Sequence, residues 1–387
     1  MFVTDAQMRN SLAIIRSLGK KGLFVTAGEE TRFATGFFSK YCSNIVVYPS
    51  PRYKKEEFVL YMLNLFRKDN YQVFFPITDY TILPIIEHRD KFSKYTTIAL
   101  PPNEIFFNAY DKGITIKKAI KIGVPCPKTY FIEGEDYYKL KSFSKELSYP
   151  IVLKPRMGFG RRGVRICNSP IELLKYYKIL LSQYGKLLIQ EFIPLEYEFG
   201  VYTLFNFSSE PCALSVQRRI RSYPINGGPS TFRETFKNEL TERAVEMAFK
   251  LLKHLKWVGV AMVEFRVDAR DGTPKLMEIN PRFWGSLQLS ILAGIDFPYL
   301  LYKLFTEGNI EKVLDYKVGV KCRWLFPGDF LWLLTSPNKL KNLKEFVKFR
   351  TNYDIFTLTD IGPTLGLTLA TARYLFDRKM WSFIIRR

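Results

Sequence analysis

Three residues in the second half of the chain, Glu264, Glu278 and Asn280, have the types and spacing to hold a hard cation. Mg²⁺ takes oxygen ligands, usually one or two carboxylates, and completes its shell with water and phosphate. All three fall in Gly259-Val-Ala-Met-Val-Glu-Phe-Arg-Val-Asp268 and Lys275-Leu-Met-Glu-Ile-Asn-Pro-Arg282. These stretches read as two strands joined by a turn over 268–274. Side chains alternate along a strand, so Glu278, Asn280 and Arg282 share one face while Met277 and Ile279 take the other. Arg282 is then placed to meet a phosphate or an oxyanion. The same pattern also describes an ordinary hairpin whose solvated face carries acids.

A second chemical signal lies upstream. Tyr149-Pro-Ile-Val-Leu-Lys-Pro155 reads as a strand bearing Lys154, and Arg156-Met-Gly-Phe-Gly-Arg-Arg-Gly163 as a loop with Gly158, Gly160 and Gly163, followed by the strand Val164–Cys167. Glycines let a backbone wrap a phosphate with its N–H groups, and the lysine and arginines supply compensating charge. No Gly-Lys-Ser/Thr leads into a helix, which excludes a Walker loop. A strand follows where a dinucleotide fingerprint needs a helix. A plain hairpin remains the alternative. Further on, Lys186-Leu-Leu-Ile-Gln-Glu-Phe-Ile-Pro194 runs as a strand into a connection at Glu191, Phe192 and Ile193. Its backbone and apolar walls suit a purine, and Glu198, opening the strand Leu195–Phe205, suits ribose hydroxyls; an interdomain hinge is the other reading. Residues 217–231 join a basic cluster to a glycine turn. There Arg218 and Arg221 would grip a carboxylate bidentately, with Gly227, Gly228, Ser230 and Thr231 for a second carboxylate or an amino group. A solvated basic strand end and turn fits as well.

These residues need a scaffold to bring them together. Up to about residue 105, strands expected at 22–28, 44–48 and 71–76 alternate with helical patterns at 5–18, 58–68 and 80–88. That alternation implies a parallel sheet covered on both faces, with ligand loops at 26–29 and 77–79. After a boundary near Ala99-Leu-Pro-Pro102, a helix opens at Asp111-Lys112 and is ended by Gly123 and Pro125. Helical patterns follow at 170–182, 237–255 and 284–294, the last directly behind the metal strand. Beyond 308, one more strand is expected at 322–327, then an apolar and lysine-rich stretch over 329–350 interrupted by Pro337, then a moderately apolar stretch over 359–376. This basic extension reads as a helical cap or a homodimer surface, with peripheral contact to an anionic membrane as the alternative.

Composition limits the function classes. At 387 residues the chain can hold two or three cores, and 47% hydrophobic with 25% charged residues is a globular balance. The net charge of +21 suggests an acidic partner. Nucleic acid is not favoured, because no recognition motif accompanies the charge. Five cysteines without paired spacing indicate reduced thiols and a cytoplasmic setting. His88 and His254 make no zinc pattern, the first residues lack the form of a signal peptide, and no apolar run is long enough to span a membrane.

Taken together, the residues over roughly 105–305 resemble the ATP-grasp superfamily, near the ATP-binding half of the carbamoyl-phosphate synthase large subunit and the carboxylate–amine ligases. The resemblance implies a parallel-sheet α/β domain (1–105), then an α+β ATP-grasp fold of two subdomains (106–187 and 188–307), then the extension (308–387). It implies that Lys112, Lys154 and the loop through Gly158, Gly160 and Gly163 hold ATP phosphates, that Glu191, Phe192 and Ile193 read adenine, and that Glu198 binds ribose. Glu264, Glu278 and Asn280 would hold two Mg²⁺ ions, with Mn²⁺ as a substitute, and Arg282 with Lys154 would be catalytic. The activity implied is ATP-dependent joining of a carboxylate, most simply that of an amino acid, to an amine through an acylphosphate. Phosphorylation or carboxylation on the same scaffold, or a non-catalytic ATP-binding scaffold, are the alternatives.

Overall fold

The computed structural model describes residues 1–132, 137–158, 160–225, 227–348 and 351–376, and everything below concerns these residues. The N-terminal sheet is wholly parallel, with strands in the order Asn44–Val47, Thr26–Glu29, Phe2–Val3, Val73–Phe75, Thr97–Ile98. Helices Arg9–Lys20, Lys55–Lys68 and Asp79–Glu87 cover it. Two of its strands, the central Phe2–Val3 and the edge Thr97–Ile98, carry no sequence expectation, because two residues are too few for a period to show. Phe2 and Val3 are nonetheless fully buried, as a central parallel strand requires.

Helix Lys112–Lys121 leads away from this domain, capped by Asp111, whose carboxylate accepts from the Gly113 and Ile114 N–H groups. A small antiparallel sheet follows, in the order Thr129–Tyr130, Leu187–Glu191, Ile151–Pro155, Arg165–Cys167, backed by helices Tyr137–Ser144 and Pro170–Tyr184. Leu153, Ile189, Leu173 and Leu180 form its core. The glycine loop is the connection between the two antiparallel strands that carry Leu153 and Arg165 opposite one another.

The large sheet contains Pro274–Asn280, Gly259–Asp268, Leu195–Phe205, Pro211–Ser222, Ser230–Thr235, Lys321–Arg323 and Asn352–Tyr353, in that spatial order. Its first five strands are antiparallel and mostly consecutive neighbours. One face packs on the amphipathic helix Glu239–His254, burying Val201, Val263, Leu251 and Trp257 together. The helix expected at 284–294 forms over Leu287–Leu292.

The extension is tied into the body rather than appended to it. Lys321–Arg323 pairs with Ser230–Thr235, and Asn352–Tyr353 pairs with it in turn. The stretch 329–350 forms two helices, Phe330–Thr335 and Lys339–Phe346, broken at Ser336-Pro337 as the proline predicts. A last helix, Gly362–Phe376, packs on the turn Thr35–Phe38 of the N-terminal domain. The extension also places three aspartates against arginines, four of them in the body and one, Arg323, its own. Asp354 pairs with Arg9 (2.8 Å) and Arg233, Asp360 with Arg16 (2.8 Å), and Asp329 with Arg221 (3.1 Å) and Arg323. Their side chains are at most 2% exposed, so each is a desolvated charge compensated by its arginines.

Candidate active site

The hairpin sets Glu264 directly opposite Glu278, and Met262 opposite Asn280. The next strand sets Glu198 opposite Arg266. Alternation then brings Glu264, Arg266, Glu278, Asn280 and Glu198 to one face of the sheet, the face turned from the helix Glu239–His254. The Asn280 amide donates to Glu264 Oε1 at 3.0 Å and to Glu278 Oε1 at 3.4 Å, so one carboxamide spans both carboxylates. Burial and the neighbouring glutamates raise Glu264, against the pull of Arg219. Burial acts on Glu278 in the same sense, but Lys112 and Lys154 outweigh it and hold Glu278 below the usual carboxylate range.

The cations arrive from three directions. Lys112, the first residue of the capped linker helix, pairs with Glu278 at 3.2 Å and donates to the Gly158 carbonyl at 2.8 Å, joining the glycine loop to the strand Pro274–Asn280. Lys154 is buried, its ammonium 3.4 Å from the Met277 carbonyl, and burial lowers it to about 8. Arg282 donates from Nε to Asp79 at 2.6 Å, and Asp79 also accepts from the Tyr110 hydroxyl at 3.1 Å. Asp79 opens a helix at the carboxyl end of the N-terminal sheet, so that loop forms one wall of the site.

The basic cluster divides between two directions. Arg221 and Thr231 both turn to Asp329 of the extension, and Arg218 to Glu234, away from the glutamates. The arginine that reaches the site is Arg219, between Glu198 (3.0 Å) and Glu264 (2.9 Å), with an additional contact to the Gly228 carbonyl. A bulge after Arg219 shifts the register, so counting alternate residues through Arg218-Arg219-Ile220-Arg221 does not tell which faces inward. Arg266 was missed although it stands two residues beyond Glu264 on the same face. Glu198 is held by both arginines, with Arg266 Nε at 3.1 Å. Gly227 lies under the flap: at φ +116° it has no Cβ, and one placed there would be 1.2 Å from an Arg161 guanidinium nitrogen. Gly228 and Ser230 enter through their carbonyls, which accept from Arg219 and Arg9.

At the connection 191–193, Glu191 accepts from the Lys128 N–H at 2.9 Å and pairs with Arg270 at 3.2 Å, while the Ile193 carbonyl accepts from Arg266. Ile193 is buried and Phe192 half-buried, on the chain that links the small sheet to Glu198. Gly158, Gly160 and Gly163 all have positive φ, which wraps the loop. A cavity of about 640 Å³ lined by Leu100, Phe207 and Lys253 shares no residue with this face.

Two carboxylates and a carboxamide, all oxygen donors, fit Mg²⁺ delivered with a polyphosphate. Lys112, Lys154, Arg219, Arg266 and Arg282 outnumber Glu198, Glu264, Glu278 and Asp79, and that excess suits a phosphate chain.

Two family models match adjoining parts of the chain. "Carbamoyl-phosphate synthase L chain, ATP binding domain" covers residues 111–202, and "ATP-grasp in the biosynthetic pathway with Ter operon" covers 186–326. Together the two matches make residues 111–326 an ATP-grasp domain. The carbamoyl phosphate synthase large chain of Thermotoga maritima is 26% identical over 274 residues, 67% of this chain and 24% of that one. This chain therefore spans about a quarter of that relative's length. Among solved structures, biotin carboxylase from Campylobacter jejuni in a β-γ-ATP complex has a TM-score of 0.69 at 17% identity, covering 83% of this chain and 74% of the other. L-amino acid ligase from Bacillus licheniformis has a TM-score of 0.58 at 18% identity, covering 81% and 76%. These likenesses bear out the ATP-grasp fold behind a parallel-sheet domain.

Proposed function

We propose that the protein is an ATP-dependent carboxylate–amine ligase, most simply one that activates an amino-acid carboxylate. The observation that carries the reading is the single face on which Glu264, Glu278 and Asn280 meet Lys112, Lys154 and Arg282. In this reading a substrate carboxylate oxygen attacks the γ-phosphorus of ATP and ADP leaves. The amine then attacks the acyl carbon, loses a proton, and expels phosphate.

Each residue has a physical task. Glu264, Glu278 and Asn280 would hold Mg²⁺, two ions in the fullest form and replaceable by Mn²⁺, which when bound draws charge from the phosphate oxygens. Lys154 and Lys112 offset repulsion between the incoming carboxylate and the triphosphate, and the loop through Gly158, Gly160 and Gly163 covers it. Arg282, oriented by Asp79, faces the charge that develops on the transferred phosphoryl group and the tetrahedral oxyanion. Glu191, Phe192 and Ile193 take adenine, and Glu198, once released from an arginine, takes the ribose. Arg219 replaces Arg218 and Arg221 as the residue for the acceptor carboxylate. Divisions at 105 and 307 and one at the connection 192–194, past the small sheet's strand Leu187–Glu191 and so later than the 187 the sequence implied, mark a supporting domain, a subdomain bearing the glycine loop and a catalytic subdomain. Five unpaired cysteines suit a reducing compartment such as the cytoplasm.

Hydroxylamine tests the reading, because it intercepts an acylphosphate as a hydroxamate. Hydroxamate formed from an amino acid only when ATP and Mg²⁺ are present supports it. ATP binding with no hydroxamate from any carboxylate in a broad panel overturns it in favour of a non-catalytic nucleotide-binding role.

A further inference from the structure

Between residues 326 and 376 the extension contains four acids, and three of them point inward. Asp329, Asp354 and Asp360 are buried against arginines, and Glu345 alone stays outside, paired with Lys348. Helix Lys339–Phe346 therefore presents Lys339, Lys341 and Lys344 outward, and Lys348 follows just beyond its end beside Glu345; all four lysines are exposed. The same helix turns Phe346 inward, under the Arg323 guanidinium at 4.2 Å, and leaves Leu340, Leu343 and Val347 outside. Spacings of three and four put those residues on one stripe, and Leu340 is 84% exposed.

Helix Gly362–Phe376 repeats the arrangement without the lysines. Its small residues face the body: a Cβ on Gly362 would lie 1.9 Å from the Phe38 carbonyl, and one on Gly366 would lie 2.5 Å from the Phe38 ring. Ile361, Leu365 and Leu369, four residues apart, are left exposed, with Leu358 just before them at 83%. Among the described residues no helix is long and apolar enough to cross a membrane. Apolar stripes set beside lysines, on short helices anchored to a folded body, match the physics of a surface that enters the headgroup region and remains there.

We propose that the extension is a docking surface for anionic phospholipid membranes, with Leu340, Leu343 and Val347 and the Leu365–Leu369 stripe entering the interface and the four lysines meeting lipid phosphates. Charge complementarity favours lipid over a second copy of the chain, because two copies of the lysine helix would repel one another. The proposal does not depend on the ligase reading. Deleting the extension is a poor test, since Arg9, Arg16, Arg221 and Arg233 would lose their buried partners.

The test uses the full chain and exposed positions only. Cosedimentation is measured with phosphatidylcholine vesicles and with vesicles containing about one third phosphatidylserine. The parent should bind the anionic vesicles at least roughly tenfold more strongly, with the advantage lost at about 1 M salt. Leu340→Glu/Leu343→Glu and Leu365→Glu/Leu369→Glu should each lose roughly tenfold at an unchanged melting temperature, and Lys341→Glu/Lys344→Glu should lose the preference for anionic lipid. Equal binding to both vesicles, no binding, or full binding by all three variants would overturn it. So would a dimer in analytical ultracentrifugation that the leucine variants dissociate, which would assign the surface to self-association.

Discussion

Two charge networks in this molecule use the same side chains in opposite ways. In the extension, Asp329, Asp354 and Asp360 are each matched by arginine in a dry setting, and Arg233 Nε and Nη1 find no further partner among the described residues. On the sheet face, Glu264 and Glu278 stand opposite each other, Glu198 is close by, and the compensation comes from flexible cations at a partly open surface. The first network is closed, and its removal leaves a buried charge. The second holds like charges together, an arrangement that an added cation and phosphate would complete. Pairing thus marks where the fold is fastened, and mismatch marks where a ligand belongs.

The contrast is sharpest in stability. Asp354→Ala leaves Arg9 and Arg233 buried without a counter-ion and should cost about 3–5 kcal/mol, read as a lowered urea midpoint. A loss below about 1 kcal/mol would show that this network fastens nothing. On the sheet face the loss should be in rate instead. Glu278→Gln and Arg282→Ala should each lower kcat by on the order of 10²–10³, about 2.7–4 kcal/mol of transition-state stabilisation, the first with a normal fold and the second with a loss of stability as well, because Asp79 is left buried without its guanidinium. Near-parent turnover in both would remove the site assignment.

A smaller effect follows from Lys154, which burial lowers to about 8 in the free protein. Bound phosphate favours the ammonium, so ATP affinity should be constant below this value and fall as pH rises through it. Isothermal titration across that range measures the slope, and Lys154→Arg should flatten it, since the guanidinium stays charged. The smallest effect expected is on the stability of Glu264→Gln. Relief of repulsion from Glu278 offsets the lost ion pair with Arg219, so the fold should change by less than about 1 kcal/mol, where Asp354→Ala changes it several-fold more. A large destabilisation by Glu264→Gln would erase the distinction between the two networks.

The hairpin of Glu264 and Glu278 was legible because its strands are long and its acids sit at fixed intervals: Gly259–Asp268 forms with the bounds the sequence implies, and Glu264 meets Glu278. The helix opening at Asp111-Lys112 was legible from its start and its glycine stop, the glycine loop from three glycines between two strands, and the place of Lys112 at the site only from the family resemblance. Three things were not. Phe2–Val3 is too short to show a period. Arg219 is chosen over Arg218 and Arg221 by a bulge that no local rule places. Asp79 meets Arg282, and Asp354 meets Arg9, across more than 200 residues of chain, and no pattern of alternation carries that information. The structure adds long-range electrostatics to a scaffold that local spacing had already outlined.

Phosphate release from ATP, measured with Mg²⁺ across pairs of carboxylates and amines, tests the central claim most directly. The account predicts release that requires one carboxylate together with one amine and disappears in Arg282→Ala. Release that is indifferent to both substrates, or that survives in Arg282→Ala at the parent rate, would contradict it.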